Sequence, residues 1–268
     1  MEDTITVIGA GVIGGAIVKG LIKGGYRGKI IATRRKAEKL KELEGLGVHI
    51  TSDNVKAAEE ADIVFICVKP NDVLKVLEEI KNSISGKLVI STAATVPLKH
   101  YKKVAPQARF VRSMPNVAIL VQESFTAYAC DNDVTPEDKE KIRKIFEILG
   151  VCQEVEEKHM DAVTALSGSG PGYITIIIEA LMYAGLKVGL PRDLALQSAA
   201  QTVLGTGKLA MEFHGHITAI KDMVTTPGGT TIEAIYELEG SQIRQALMRA
   251  VEKATEKCQK IRENLGLR

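Results

Sequence analysis

A glycine-rich turn directly after the first apolar run constrains the fold more than any other feature of the sequence. The apolar residues 4–8 lead into G-A-G-V-I-G at residues 9–14, and a helical pattern over residues 11–23 follows. A G-x-G-x-x-G between a strand and a helix is typical of a dinucleotide-binding βαβ unit, with the pyrophosphate at the helix N-terminus. A glycine-rich turn that holds no ligand is the alternative interpretation.

Short β-branched runs alternate with amphipathic segments up to about Val155, which predicts βαβ units around a mostly parallel sheet. The predicted strands are residues 4–8, 29–33, 48–50, 63–68, 88–91, 109–114, 125–130 and 151–155. Predicted helices cover residues 36–46, 54–61, 73–80 and 136–149, the last with Thr135 as its cap. From Lys158 onward only helical spacing remains. We therefore expect a doubly wound α/β domain at residues 1–157 and an all-α domain at residues 158–268.

The composition argues against several classes of partner. The 35 basic and 33 acidic side chains give a formal net charge of +2 and are spread evenly, so we expect no nucleic-acid partner. No apolar stretch reaches membrane-spanning length, and the start of the chain lacks the features of a signal peptide. The four cysteines lack C-x-x-C spacing and are expected to be reduced. We predict a cytoplasmic protein with no membrane partner and no metal site.

The tip of the second predicted strand indicates which dinucleotide binds. An NAD site carries Asp or Glu there to hold the ribose 2′-hydroxyl, whereas this chain has T-R-R-K at residues 33–36. Cations in the first turn of a helix oppose its macrodipole, and guanidinium groups suit a 2′-phosphate. A solvated basic turn is the alternative. We predict NADP(H) as the cofactor, with NAD(H) as a second candidate.

Two further stretches follow strands at the edge where open α/β sheets bind ligands. They are C-V-K-P at residues 67–70 and S-T-A-A-T at residues 91–95. Lys69 is equally well explained as a surface lysine. Asn54, which follows the third strand, is equally well explained as a helix cap.

The helical half contains two glycine-interrupted stretches. The first, S-G-S-G-P-G-Y at residues 167–173, precedes a segment at residues 174–181 that is apolar nearly all round. Such a helix must be buried on all sides, which predicts a dimer that shares it. The second, V-T-T-P-G-G-T-T at residues 224–231, predicts a helix cap and start at residues 225–227, followed by open N–H groups and hydroxyls at residues 228–231 that bind a small anion such as a carboxylate. A structural turn is the alternative for each stretch.

Together these motifs resemble the pyrroline-5-carboxylate reductase family over the whole chain. The resemblance is carried by D-A-V-T-A-L-S-G-S-G-P-G-Y (161–173), A-G-L-K-V-G-L-P-R (184–192), A-A-Q-T (199–202) and V-T-T-P-G-G-T-T-I-E-A (224–234), with V-K-P and M-P-N in the first half. It implies a Rossmann domain, an all-α dimerisation domain, and hydride transfer from NAD(P)H to C5 of 1-pyrroline-5-carboxylate to give L-proline. It also implies a homodimer or a higher homo-oligomer, such as a pentamer of dimers.

The resemblance further implies which residues form the site. Thr231 is the candidate catalytic residue, as hydrogen-bond partner of the substrate ring nitrogen. The implied substrate contacts are Val224, Thr226, Gly228, Gly229, Thr230 and Thr231. The implied cofactor contacts are Gly9, Gly11, Val12, Ile13, Gly14, Thr33, Arg34, Arg35, Asn54, Val68, Lys69, Pro70, Ala93 and Ala94.

Two other functions remain as alternatives. A β-hydroxyacid dehydrogenase has a similar plan but requires a lysine shortly after its glycine-rich signature. This chain has I-T-I-I-I-E-A after Tyr173, which disfavours that chemistry. A protein that senses NADP(H) without catalysis would not need the polar loops of the second half, so their presence disfavours it as well.

Overall fold

The computed structural model describes residues 2–267 and contains an eight-stranded sheet followed by helices. The strands are β1 Ile5–Ile8, β2 Ile30–Thr33, β3 His49–Thr51, β4 Ile63–Ile66, β5 Leu88–Ser91, β6 Arg109–Met114, β7 Ser124–Cys130 and β8 Gly150–Glu154. Their order is β3-β2-β1-β4-β5-β6-β7-β8. Every neighbouring pair is parallel except β6 and β7. The predicted α/β class and all eight predicted strands are confirmed.

Helices cover both faces of the sheet, and the described elements that follow β8 are all helical. The helices are α1 Val12–Lys23, α2 Lys41–Glu44, α3 Asn54–Glu60, α4 Pro70–Ile80, α5 Leu98–Val104, α6 Pro136–Leu149, α7 Met160–Val163, α8 Gly170–Lys187, α9 Arg192–Glu212, α10 Thr218–Met223, α11 Thr230–Glu239 and α12 Ile243–Asn264. Three 3₁₀ turns (Ala37–Leu40, Val117–Val121 and Glu157–His159) and a π-helical turn, Thr164–Gly168, complete the regular structure.

The core has two layers because alternate side chains of each strand point to opposite faces of the sheet. In β4, Ile63 and Phe65 join one apolar cluster, whereas Val64 and Ile66 join the other. The first cluster contains buried residues of α1 and α6, and the second contains those of α4 and α5. Strands β1, β2, β4 and β5 are buried along their whole length, as expected for parallel strands covered on both faces.

Local sequence signals explain where two of the helices begin or fail to extend. The Thr135 hydroxyl accepts from the Asp138 N–H and the Asp138 carboxylate accepts from the Thr135 N–H, so the predicted cap of α6 is confirmed as a capping box. The helix predicted at residues 36–46 is confirmed only in part, because the helical residues are 37–44 and the first four of them form a 3₁₀ turn. The other four form α2, which ends before Gly47 at a φ of +82°.

The chain divides into two compact units. The first contains the residues up to Ser169 together with the chain from Lys253 onward, and the second runs from Gly170 to Glu252. This division differs from the sequence boundary at residues 157/158 because the residues just after that boundary pack on the sheet. Met160 is fully buried there, and Asp161 holds Arg262 of α12 at 2.7 Å.

The second unit leaves many large apolar side chains exposed in the single chain. In α8, the helix predicted to be apolar all round, only Met182 is buried. Side chains that are more than half exposed include Ile176, Tyr183, Val188, Met211, Tyr236 and Met248. So many large, exposed apolar side chains in one unit mark a protein–protein interface. Within residues 2–267, none of the helices combines the length and apolar character needed to cross a membrane.

Candidate cofactor and substrate sites

A cavity of about 600 Å³ lies at the carboxyl ends of β1, β2 and β4. The chain runs outward from β1 to β2 and β3 and then crosses to β4 on the other side, so the strand order reverses at this point. Such a reversal is where open α/β sheets bind their ligands. The cavity is lined by Ile8, Gly9, Gly11, Thr33, Arg34, Arg35, Lys36, Lys39, Asn54, Cys67, Val68, Lys69, Asp72 and Val76.

The three motif glycines have different surroundings. These surroundings show whether the turn after β1 can accommodate a dinucleotide. Gly9 has a φ of +86°, and a Cβ there would lie 2.5 Å from Val68 Cγ1. A Cβ on Gly14 would lie 2.7 Å from the Gly9 carbonyl oxygen, so this glycine permits close packing of helix on strand. A Cβ on Gly11 would meet nothing closer than 3.9 Å and would instead occupy cavity space. These are the three surroundings that a pyrophosphate-binding turn requires.

The first turn of α1 offers free backbone donors. Its N-cap, Gly11, provides no side-chain cap, and the turn contains no acidic residue. The first intrahelical bond to Gly11 comes from the Gly15 N–H, so the N–H groups of Val12, Ile13 and Gly14 have no intrahelical acceptor. These groups concentrate partial positive charge where an anion would sit. The backbone N–H groups of residues 12–14, which are predicted cofactor contacts, therefore lie beside the cavity.

Five cationic side chains line the cavity: Arg34, Arg35, Lys36, Lys39 and Lys69. Asp72 is the only carboxylate in that lining, and it pairs with Arg35 at 2.7 Å. Within residues 2–267 the other four cations make no ion pair, so the cavity has an excess of positive charge. Residues 34–36 precede a short 3₁₀ turn and do not lie in the first turn of an α-helix, so they do not oppose a helix macrodipole. The location in the cavity now supports a phosphate partner instead.

Thr33 and Asn54 meet beneath the basic residues. The Thr33 hydroxyl donates to Asn54 Oδ1 at 2.6 Å, and Asn54 Nδ2 lies 3.2 Å from a Glu79 carboxylate oxygen. The cap of α3 is Asp53, whose carboxylate accepts from the Lys56 N–H at 3.0 Å. The alternative that Asn54 is the helix cap is therefore wrong, and its side chain is part of the cavity wall.

The remaining predicted cofactor contacts lie at the same sheet edge. Pro70 begins α4, directly after Lys69. Ala93 and Ala94 lie in the loop after β5, whose Ser91 pairs with Ile66 at the end of β4. They are nearly buried and do not line the cavity. Burial raises the pKa of the nearby Cys67 thiol to about 12, so it is protonated at neutral pH and offers no thiolate nucleophile.

Several lining residues escaped the sequence analysis. Lys39 is three positions after Lys36 in the same basic segment, and a 3₁₀ turn places such residues on one side. The three-residue spacing of Lys36 and Lys39 therefore indicates that both lysines lie on the same side of the segment. Asp72 and Val76 come from α4, and their place in the wall follows from packing rather than from any local pattern.

The M-P-N motif links the sheet to the first glycine-interrupted stretch. Asn116 Nδ2 donates to the Ser167 carbonyl oxygen at 3.1 Å, and Asn116 Oδ1 accepts from the Ala118 N–H at 2.9 Å. The Ser167 hydroxyl in turn donates to the Phe125 carbonyl. Asn116 and Ser167 therefore fix the π-helical turn that precedes α8.

In the second unit, the predicted substrate residues form the connection between α10 and α11. The predicted helix start at residues 225–227 is wrong, because α11 begins at Thr230 with Gly229 as its N-cap. The Thr225 hydroxyl instead donates to the Lys221 carbonyl at 2.8 Å and closes the end of α10. Gly228 has a φ of +66°, which only glycine adopts without strain, and it turns the chain into α11.

The N-terminus of α11 is open. The Gly229 N–H donates to the Thr226 carbonyl at 3.0 Å, and no side chain caps the helix. The N–H groups of Thr230, Thr231 and Ile232 have no intrahelical acceptor because they lie in the first turn. Val224 beside them is exposed. This turn has the uncommitted donors that a carboxylate requires.

Comparisons with known proteins agree with this geometry. Residues 157–261 match the family described as pyrroline-5-carboxylate reductase dimerisation, and residues 4–95 match the family described as NADP oxidoreductase, coenzyme F420-dependent. The chain is 43% identical to a pyrroline-5-carboxylate reductase of Methanosarcina acetivorans, over 97% of this chain and 98% of that protein.

Solved structures give the same result. A pyrroline-5-carboxylate reductase from Coxiella burnetii has a TM-score of 0.89 at 36% identity, covering 97% of this chain and 98% of that one. A Plasmodium falciparum pyrroline carboxylate reductase with NADP bound has a TM-score of 0.87 at 30% identity, covering 96% of this chain and 97% of that one. The chain belongs to the pyrroline-5-carboxylate reductase family.

Proposed function

We propose that this protein is a pyrroline-5-carboxylate reductase, which reduces 1-pyrroline-5-carboxylate to L-proline with NADP(H). The observation that carries the proposal is the 43% identity to a reductase of that name over 97% of the chain. The glycine turn and the excess of cationic side chains in the cavity support NADP(H) as the cofactor. Nothing in the site favours a β-hydroxyacid dehydrogenase or a sensor without catalytic activity.

The chemistry requires positioning more than a strong acid. When bound, the reduced cofactor supplies the hydride that adds to C5 of the substrate. A C=N bond accepts hydride readily when its nitrogen is protonated, so a substrate that arrives as the iminium needs alignment and a tolerated charge. The stretch from Ser167 to Tyr173 contains no His, Asp or Glu, which agrees with that requirement.

We assign the substrate contacts to the connection between α10 and α11. In this assignment the N–H groups and hydroxyls of Thr226, Gly228, Gly229, Thr230 and Thr231 hold the carboxylate, and Val224 forms an apolar wall. The Thr231 hydroxyl hydrogen-bonds to the ring nitrogen. The uncapped start of α11 supports this assignment.

The chain forms homo-oligomers through its helical region. The match of residues 157–261 to a dimerisation family and the exposed apolar side chains of the second unit support this statement. We propose residues 1–157 as the NADP-binding domain and residues 158–268 as the dimerisation and substrate domain. The pentamer of dimers and the cytoplasmic location stay predictions.

The activity is tested by mixing the purified protein, NADPH and 1-pyrroline-5-carboxylate and following the absorbance of the reduced nicotinamide. We expect the absorbance to fall and L-proline to accumulate in equal amount. A β-hydroxy acid with NADP⁺ serves as the control for the rival chemistry. Turnover of the hydroxy acid without turnover of the imine would overturn the proposal.

Replacing Arg34 by serine tests the contact with the 2′-phosphate. A hydrogen bond to a charged group contributes about 1.5–3 kcal/mol, so the KM for NADPH should rise about 10- to 100-fold while the KM for NADH changes little. Arg27→Ser is the matched control, because Arg27 is exposed and lies outside the cavity lining. An equal rise for both cofactors in Arg34→Ser would contradict the contact.

Replacing Thr231 by valine tests the contact with the ring nitrogen. Valine keeps the shape but removes the hydroxyl, so kcat should fall about tenfold, as expected for one lost hydrogen bond. The KM for NADPH should not change. Thr231→Ser restores the hydroxyl and should restore most of kcat, and equally low kcat values for both variants would argue against a hydrogen-bonding role.

A further inference from the structure

We propose that two buried side chains, Tyr101 and Arg112, position the loop of residues 91–95 and so keep its free donors available to the cofactor. The inference rests on the proposed function, because Ala93 and Ala94 are predicted cofactor contacts. Neither Tyr101 nor Arg112 lines the cavity itself. Both therefore act as positioning residues, through the loop.

Tyr101 holds the first part of the loop from beneath. It lies on α5 and is completely buried, and its hydroxyl lies 3.0 Å from Ser91 Oγ and 3.4 Å from the Ala93 carbonyl oxygen. Ser91 Oγ also accepts from the Ala93 N–H at 3.2 Å. Burial raises the pKa of the Tyr101 hydroxyl, so it stays protonated and remains a donor at every working pH. One phenol thus ties Ser91 to Ala93.

Arg112 holds the next residue of the loop. It lies on β6 opposite Ser91 of β5, and only 1% of its side chain is exposed. Its Nη2 donates to the Ala94 carbonyl oxygen and to Asp161 Oδ1 at 2.9 Å, and its Nη1 donates to Glu157 Oε1 at 3.2 Å. The two carboxylates balance the buried charge and fix the guanidinium. The Ala94 carbonyl is therefore bonded to a group that cannot move independently.

These contacts bind the carbonyls of the loop and leave some of its donors uncommitted. Within residues 2–267 the N–H groups of Ala94 and Thr95 have no acceptor, and Thr95 Oγ1 is buried without a partner. Ala93, Ala94 and Thr95 are each more than nine-tenths buried. Uncommitted polar groups in a nearly buried loop are costly unless a ligand bonds to them. Ala93 and Ala94 are predicted cofactor contacts and follow β5 at this edge of the sheet, so the cofactor is the ligand that we assign to these donors.

The test uses Tyr101→Phe, which keeps the ring and removes only the hydroxyl. In the protein without cofactor, amide hydrogen exchange at residues 92–95 should accelerate about tenfold, since one hydrogen bond is lost. With NADPH and substrate, kcat should fall about tenfold while the substrate KM changes less than about twofold. The primary isotope effect with 4-deuterated NADPH should rise, because poorer alignment makes hydride transfer more rate-limiting.

Tyr128→Phe is the matched control. Tyr128 is a buried tyrosine on β7, and its hydroxyl makes no hydrogen bond to the loop. This variant should leave exchange at residues 92–95, kcat and the isotope effect unchanged. If Tyr101→Phe behaves as Tyr128→Phe does in all three measurements, the inference is overturned even though the wild type reduces the imine.

A second variant changes the support of Arg112 and of Arg262 and leaves the bonds of Tyr101 in place. Asp161→Asn weakens the support of Arg112 but leaves the bond from Arg112 to the Ala94 carbonyl. Amide exchange at Ala94 and Thr95 in this variant should therefore rise by less than amide exchange at Ala93 rises in Tyr101→Phe. If the wild type fails to reduce the imine, the proposed function fails. The exchange rates in the cofactor-free protein then still decide whether Tyr101 positions the loop.

Discussion

Replacing Gly11 by alanine is expected to weaken NADPH binding by at least about 100-fold. The added Cβ meets nothing within 3.9 Å in the free protein, so the free energy of unfolding should change by less than about 1 kcal/mol. The methyl group would occupy the cavity space through which a pyrophosphate approaches the start of α1. Overpacking costs about 1–3 kcal/mol and lost charge-assisted hydrogen bonds a further 1.5–3 kcal/mol. NADPH fluorescence titration and urea denaturation measure the two quantities.

Gly15→Ala is the control for this substitution. Gly15 lies one turn further along α1, and a Cβ there also meets nothing within 4 Å, but Gly15 does not line the cavity. This variant should bind NADPH as the wild type does. If Gly11→Ala also binds normally, the pyrophosphate does not lie against Gly11 and the assignment of the turn is wrong.

Replacing Arg112 by methionine should lower the free energy of unfolding by about 3–5 kcal/mol, the usual cost of removing one partner from a buried ion pair. Asp161 and Glu157 would lose their bonds to the guanidinium, and the Ala94 carbonyl would lose its donor. Urea denaturation followed by circular dichroism measures the effect. Tyr101→Phe, which removes only one hydroxyl, should destabilise the protein much less than Arg112→Met.

Arg143→Met provides the comparison for Arg112. Arg143 pairs with Glu140 and Glu147 on the exposed surface of α6, and exposed pairs of this kind contribute about 0.2–1 kcal/mol. The two variants remove the same charge but differ in burial. Equal losses of stability would show that burial does not strengthen the Arg112 contacts.

Most of the sheet could be predicted from the sequence because fully buried parallel strands are short β-branched runs set between helical patterns. Segment 36–46 forms a shorter and less regular helix than its pattern predicts. Its apolar spacing is helical, but a connection that must turn through Gly45 and Gly47 has room for one 3₁₀ turn and one short helix only. The helix start predicted at residues 225–227 is wrong, since Thr225 bonds backward to α10 rather than forward.

The cofactor site could be predicted only in part. The glycines, Thr33 and Arg34 lie in local motifs whose geometry follows from one strand and one turn. Lys39, Asp72 and Val76 reach the same cavity from other segments, and their convergence depends on tertiary packing. The cap of α3 could not be assigned either, because Asp53 and Asn54 are adjacent and both residue types are good caps.

Because α12 returns to the sheet, the unit of residues 170–252 is an insertion, and the chain on each side of it belongs to the first compact unit. A single cut cannot excise the nucleotide-binding half. A fragment that stops at residue 157 would lack Met160 beneath the sheet and would leave Arg112 without Asp161. A self-sufficient minimal version would need residues 253–267 spliced back through a linker, so that Arg262 again reaches Asp161.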